Sequence, residues 1–297
     1  MFKLFIKEIR LHQWVKNILI FLPAIFANKI FNLNNLYFLA FAFLAFSLTA
    51  SSLYIINDIF DRDKDRAHPE KKDRPIASGK LSVKTALAWS AIMLLGSFMI
   101  IFFINQTLIW LLIGYVVLIS LYSIYLKNLP IIDMVVIAIG FIIRIFFGSA
   151  VIEVPTSNWI IVTTFFLALF LVSVKRRLEL NTLEDKANDH RVTLTTYNSI
   201  FSNILIGATA TLSLASYSIY TLQESVIKHF KTEALIYSIP FVFIFITRLV
   251  YVATSNLKQH SSDPTNIIFT DKTVFLSLVG WLFSVLIIIL WQSINLN

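Results

Sequence analysis

Apolar residues along this chain come in blocks, not in alternation or at the spacing of an amphipathic helix. The blocks are roughly 17 to 25 residues long, the length that carries a helix across the hydrocarbon core of a bilayer. Nine can be placed, centred near Ile20, Leu44, Leu95, Tyr115, Ile139, Phe166, Ala208, Phe243 and Val285. The pattern therefore predicts an all-α, polytopic membrane protein with nine transmembrane helices. The first block is the least regular, because Lys16, Asn17 and Pro23 interrupt it. Short polar connectors such as Asn105–Thr107 and Glu153–Asn158 separate some blocks, whereas Asn57–Lys84 and Lys175–Tyr197 are long. Both long segments begin with charged residues at helical spacing, a weak internal echo. Nothing in the composition divides the chain, so 1–297 reads as a single integral-membrane domain.

Composition excludes an ordinary soluble domain. Hydrophobic residues make up 57% and charged residues 14%, against about a quarter charged in soluble proteins, and the mean hydropathy is +0.76. Of the 25 Lys and Arg residues, the connectors on one side carry only Lys29, Lys228 and Lys231, while the N-terminus and the long segments carry most of the rest. Basic residues accumulate on the cytoplasmic side of membrane helices. The expected location is the cell (inner) membrane, multi-pass, with the N-terminus and both long segments in the cytoplasm. The net charge of +8 then serves topology and the lipid surface and implies no nucleic-acid partner. Met1 to Trp14 is amphipathic and leads straight into the first block, so no cleavable signal peptide is expected. The chain has no Cys, which leaves no disulfide or thiolate chemistry. It is compatible with a homo-oligomer.

Candidate chemistry concentrates at Asn57–Asp65, NDIFDRDKD, directly after the apolar run Leu36–Ile56. If the helix continues past Ile56, Asn57, Asp61 and Asp65 advance four residues at a time and Asp58 joins their face, while Asp63 points elsewhere. Carboxylates at a membrane boundary call for a cation or a substrate. An oxygen-only set suits Mg2+ held jointly with substrate phosphates, so Asn57, Asp58, Asp61 and Asp65 are the metal candidates. The bases of KKDRPIASGK follow closely, among them Arg74, and Arg or Lys beside metal-binding carboxylates is what phosphate recognition requires. The residues point to a membrane enzyme acting on a phosphorylated substrate.

Other candidates are scattered. Gln13, Lys16 and Asn17 open the first span; snorkelling explains Lys16 but not its polar neighbours. Tyr122 and Lys127 close the fourth span. Arg144 sits mid-span, eleven residues or about 16 Å from Asp133 on the same helix face, and an intramembrane Arg is a functional candidate by default. In KRRLELNTLEDKANDHRVTLTTY, Lys175 and Glu179 are one turn apart, and either an intrahelical ion pair or a substrate site explains them. Asp185 and Asp189 fit a second carboxylate pair or an exposed loop.

Nine spans with a cytoplasmic NDxxDxxxD motif resemble the UbiA superfamily of intramembrane prenyltransferases over essentially the whole chain. That resemblance implies a helical bundle around a central cavity open to the cytoplasmic side, Mg2+ as cofactor, and two acidic motifs. Where the second motif is usually Asp-rich, this chain carries KRRLEL. Together with QWVKN, FIIRIFFGSA and RVTLTTY, the substitution resembles the branch that transfers 5-phosphoribosyl from phosphoribosyl pyrophosphate to a decaprenyl-like polyprenyl phosphate and releases pyrophosphate. On that likeness Asp58, Asp61 and Glu179 are catalytic. Gln13, Lys16, Asn17, Arg74, Tyr122, Lys127, Arg144, Lys175 and Arg191 then bind substrates, and Asp263 and Asp271 match their counterparts only loosely. A UbiA-type transfer of a polyprenyl diphosphate to an aromatic or other small acceptor is the alternative. A secondary transporter fits less well, since the charge gathers at one surface instead of the midplane.

Overall fold

The computed structural model describes residues 2–67, 71–183, 197–255 and 263–295, so Arg191, Asp185 and Asp189 lie outside the described residues. Within them there are helices and connecting turns and no strand. The helices group into two compact units, one ending at Thr156 and one beginning at Ser157.

The first unit opens with α1 (Phe2–Ile9), followed by a 3-10 helix, η1 (Leu11–Phe21), and α2 (Leu22–Phe26). After these come α3 (Leu33–Phe60), α4 (Arg62–Ala67), α5 (Val83–Ile104), α6 (Leu108–Ile124) and α7 (Ile132–Val151). Helix α3 packs on α1, η1, α5, α6 and α7. Its face towards α5 is lined by small polar side chains, with Thr49 bonded to Ser97 at 2.7 Å and Ser52 to Ser90 at 2.8 Å. Such residues let membrane helices approach closely while satisfying their own hydroxyls. On another side Phe46 meets Tyr115 and Phe147 in a buried aromatic cluster. Gly148 on α7 is required by close approach: a Cβ there would lie 2.0 Å from the carbonyl oxygen of Ile20 in η1.

The second unit contains α8 (Asn158–Leu183), α9 (Ser199–Leu222), α10 (Glu224–Phe230), α11 (Ile239–Thr254), α12 (Pro264–Thr270) and α13 (Lys272–Asn295). Its core joins Phe170, Val174 and Leu178 to Ile206, Leu249, Ile267 and Val274.

Seven helices among the described residues are long and apolar enough to cross a membrane. Two of the nine expected spans fall short, Leu11–Phe26 and Leu108–Ile124. The first carries buried Gln13 and Asn17 and winds as a 3-10 helix until Pro23, whose missing N–H is tolerated only in the first turn, starts α2. The second is confined between the turns at Asn105 and Tyr125.

Candidate active site

The end of α3 shows why the acidic residues differ in fate. The helix stops at Phe60, yet Asp61 N–H still bonds the Asn57 carbonyl at 2.9 Å and Asp65 N–H the Asp61 carbonyl at 2.8 Å. The backbone thus keeps a four-residue rhythm through the α3–α4 junction. Asp58 and Asp65 turn inward, 2% and 5% exposed. Asp63 points to solvent, where it meets the half-buried Arg62 and the exposed Arg66.

Each inward acid meets a base. Arg74 Nη1 donates to Asp58 Oδ1 at 3.0 Å and to Asp65 Oδ2 at 2.7 Å. Lys127, just past α6, donates to Asp61 Oδ1 at 2.6 Å. Arg10 Nη2 reaches both Asp58 oxygens. The turn 71–82 that carries Arg74 is held by Arg66 Nε on the Ala77 carbonyl at 2.8 Å and by apolar contacts of Ile76 and Leu81 against Ile55. Arg10 occupies the left-handed region, φ 51 and ψ 55, which costs a non-glycine residue about 1–2 kcal/mol. Its paired bonds to Asp58 offset that strain.

Two of these participants, Glu8 and Arg10, were not singled out by sequence reasoning. In the sequence Arg10 reads only as one more basic residue of the N-terminus. Glu8 had a usable signal, being the sole acid before Asp58 in a Lys- and Arg-bearing N-terminus. It is 2% exposed and hydrogen-bonds the Asp58 side chain, while its Oε1 has no partner. Burial, with Asp58 adding to it, raises its pKa to about 7. Burial likewise raises the Asp65 carboxyl, against the opposing pull of Arg74. Burial pulls the Arg10 guanidinium down, but Asp58 outweighs it and the net shift is upward.

The donors fit a hard divalent cation. Asp58 and Asp65 already converge on one positive group, the Arg74 guanidinium, and every donor atom is oxygen. Among the described residues no group of three or more His, Asp or Glu is placed to hold a metal ion by itself, so a cation there would need substrate phosphates and water as further ligands.

The other candidates divide. Lys16 bonds Gln13, and Asn17 bonds Ser47 at 2.9 Å. Arg144 is 4% exposed and spends its donors on Asn17 Oδ1 at 2.8 Å, the Gly140 carbonyl at 2.6 Å and Tyr115 Oη at 3.0 Å. Phe46, Tyr115 and Phe141 surround its charge. Lys16 with Gln13 and Arg144 with Asn17 thus place two polar pairs along η1. Tyr122 is half-buried near the end of α6, and Asn57 is half-buried on α3. In the second unit Glu179 is buried and accepts from Arg176 Nη1 at 2.6 Å, and the half-buried Lys175 lies one turn before Glu179 on α8. Asp263 caps α12, and Asp271 caps α13 while bonding Arg248.

Comparison with known proteins agrees with this geometry. Residues 18–199 match the UbiA prenyltransferase family. Relatives named decaprenyl-phosphate phosphoribosyltransferase include one from Corynebacterium glutamicum, 29% identical over 94% of this chain and 85% of the relative. Another, from Mycolicibacterium smegmatis, is 26% identical over 93% of this chain and 89% of the relative. Among solved structures, a UbiA homolog from Archaeoglobus fulgidus bound to GPP and Mg2+ superposes with a TM-score of 0.70, at 15% identity, over 96% of this chain and 99% of that one. An interior acid-and-base site at the end of an apolar helix, set in an all-helical multi-pass membrane chain, agrees in fold and in sequence with one group of transferases: the chain belongs to the UbiA prenyltransferase family.

Proposed function

We propose that this enzyme transfers the 5-phosphoribosyl group of phosphoribosyl pyrophosphate to a polyprenyl phosphate, releasing pyrophosphate, in a Mg2+-dependent reaction. The observation that carries the reading is the number of bases gathered on the acidic face. Arg10, Arg74 and Lys127 attend Asp58, Asp61 and Asp65, which suits substrates bearing phosphate at several points better than one prenyl diphosphate beside an aromatic acceptor. The names and full-length similarity of the relatives point the same way.

Asn57, Asp58, Asp61 and Asp65 would hold Mg2+, which when bound supplies charge stabilisation to a leaving diphosphate. The chain's own part is to orient the donor: Arg74, Arg10 and Lys127, which now pair with the carboxylates, would donate to the donor's phosphates once it enters beside the acidic face. A phosphate oxygen of the lipid then forms a bond to the anomeric carbon, and the bond to pyrophosphate breaks with its electron pair leaving on oxygen. A lipid phosphate is already anionic near neutral pH, so the step needs no strong general base. Charge developing on the sugar is met by the buried carboxylates. Glu179 remains a donor-side candidate on family likeness.

The same reading takes the chain through the membrane nine times, with the acidic face cytoplasmic. Leu11–Phe26 is short in residues, but a 3-10 helix rises about 2 Å per residue, which brings η1 and α2 together to about 30 Å. The test is direct. Purified protein, labelled phosphoribosyl pyrophosphate, Mg2+ and a polyprenyl phosphate should place label in the organic phase. Consumption of a polyprenyl diphosphate with an aromatic acceptor, and no labelled lipid, would replace this reading with ordinary prenyl transfer.

A further inference from the structure

We propose that Glu8 is a donor-selecting residue, whose free carboxyl oxygen accepts a hydrogen bond from a sugar hydroxyl of the phosphorylated donor. This rests on the proposed phosphoribosyl transfer and deepens it. Glu8 is 2% exposed, one of its oxygens is engaged with Asp58, and Oε1 has no partner. An unmet buried acceptor is costly, so a fold that retains one beside its acidic face holds an acceptor for a donor group that the chain itself does not supply. The side chain cannot swing into water at little cost, because α1 is fastened on both sides of it. Lys7 Nζ bonds the Asp73 carbonyl at 2.8 Å, Ser51 Oγ bonds the Ile9 carbonyl at 2.7 Å, and the Phe5 ring meets Trp89 edge-on at 5.0 Å.

The neighbouring acids are differently placed. Asp58, Asp61 and Asp65 already face cations, and cations or phosphate-bound metal are the partners their surroundings select. The Glu8 oxygen has a carboxylate beside it, so its complement is a neutral hydroxyl. Ribose offers hydroxyls and an isoprenyl chain offers none. Sites built to bond a substrate hydroxyl reject analogues lacking it far more strongly than apolar pockets reject an added methylene, which makes Glu8 suited to separating a pentosyl diphosphate from an isoprenyl one.

The experiment uses full-length protein in detergent with Mg2+ and measures binding of phosphoribosyl pyrophosphate and of inorganic pyrophosphate. Glu8→Leu should weaken the sugar-bearing ligand about tenfold or more and leave pyrophosphate within about twofold. Glu8→Gln, which keeps an acceptor oxygen and donates to Asp58, should restore most of the loss. Should the leucine variant fail to fold, Glu8→Ala removes the same oxygen with less bulk. Equal losses for both ligands would overturn the proposal, because Glu8 would then act through Asp58 on phosphate. Wild type that consumes phosphoribosyl pyrophosphate while every Glu8 variant matches it would overturn this inference alone. Wild type that neither binds nor consumes it would remove the parent reading and this one together.

Discussion

Asp58 and Asp63 lie five residues apart and should respond in opposite ways to the same truncation. Asp58 is buried between Arg10, Arg74 and Glu8, so Asp58→Ala removes a candidate metal ligand, takes away the carboxylate partner of Arg10 and leaves Arg74 with Asp65 alone. We expect turnover to be abolished, and Asp61→Ala to do the same. Asp63 is exposed and pairs with Arg62 and Arg66 at the surface, interactions worth about 0–1 kcal/mol, so Asp63→Ala should keep near-normal kcat and KM. Comparable losses at all three positions would remove the helical-face reasoning. Arg144 tests another kind of residue. Its guanidinium serves three fixed partners at once, and a lysine cannot reproduce that fork. Arg144→Lys should leave buried polar atoms of Asn17 or Tyr115 unmet and lower stability by about 1–3 kcal/mol, read as an earlier thermal transition in detergent. An unchanged transition with lost activity would instead mark Arg144 as a substrate ligand.

At the scale of elements, α3 was legible because its apolar run and the four-residue spacing of its acids carry one message, and the i to i+4 bonds persist through the junction with α4. The entry to the first span was not. Lys16, Asn17 and Pro23 announce an interruption, but the choice of a 3-10 helix depends on where Asn17 finds Ser47 and Arg144, partners 30 and 127 positions away. Gly148 belongs to the same junction, and nothing in FIIRIFFGSA reveals that η1 presses a carbonyl against it. Gly148→Ala should push η1 off α7 and cost at least about 1–3 kcal/mol, the usual range for overpacking. Its measure is loss of the monodisperse peak on size-exclusion chromatography after mild heating, whereas Gly114→Ala, with open space around the added Cβ, should behave as wild type.

Over the whole molecule, the distribution of Lys and Arg predicts an orientation that can be checked on this chain without background mutations, because it has no Cys. Lys72→Cys and Gln106→Cys lie at exposed positions in a long and a short connector. An impermeant maleimide should label Gln106→Cys in intact cells and Lys72→Cys only after the membrane is opened; the reverse pattern would invert the proposed topology. Fold class, membrane habit, the acidic face with its solvent-facing Asp63, and the presence of Arg74 and Lys127 among the candidates were all within reach of the sequence, because each follows from local periodicity or from charge beside an apolar run. Tertiary structure decided the rest. It drew Glu8 and Arg10 from the N-terminal segment onto Asp58, gave Arg144 to Asn17 and Tyr115, and paired Glu179 with Arg176. Whether a charged side chain is paired, buried or left with a free oxygen depends on which distant segment arrives beside it, and spacing along one helix carries no record of that arrival.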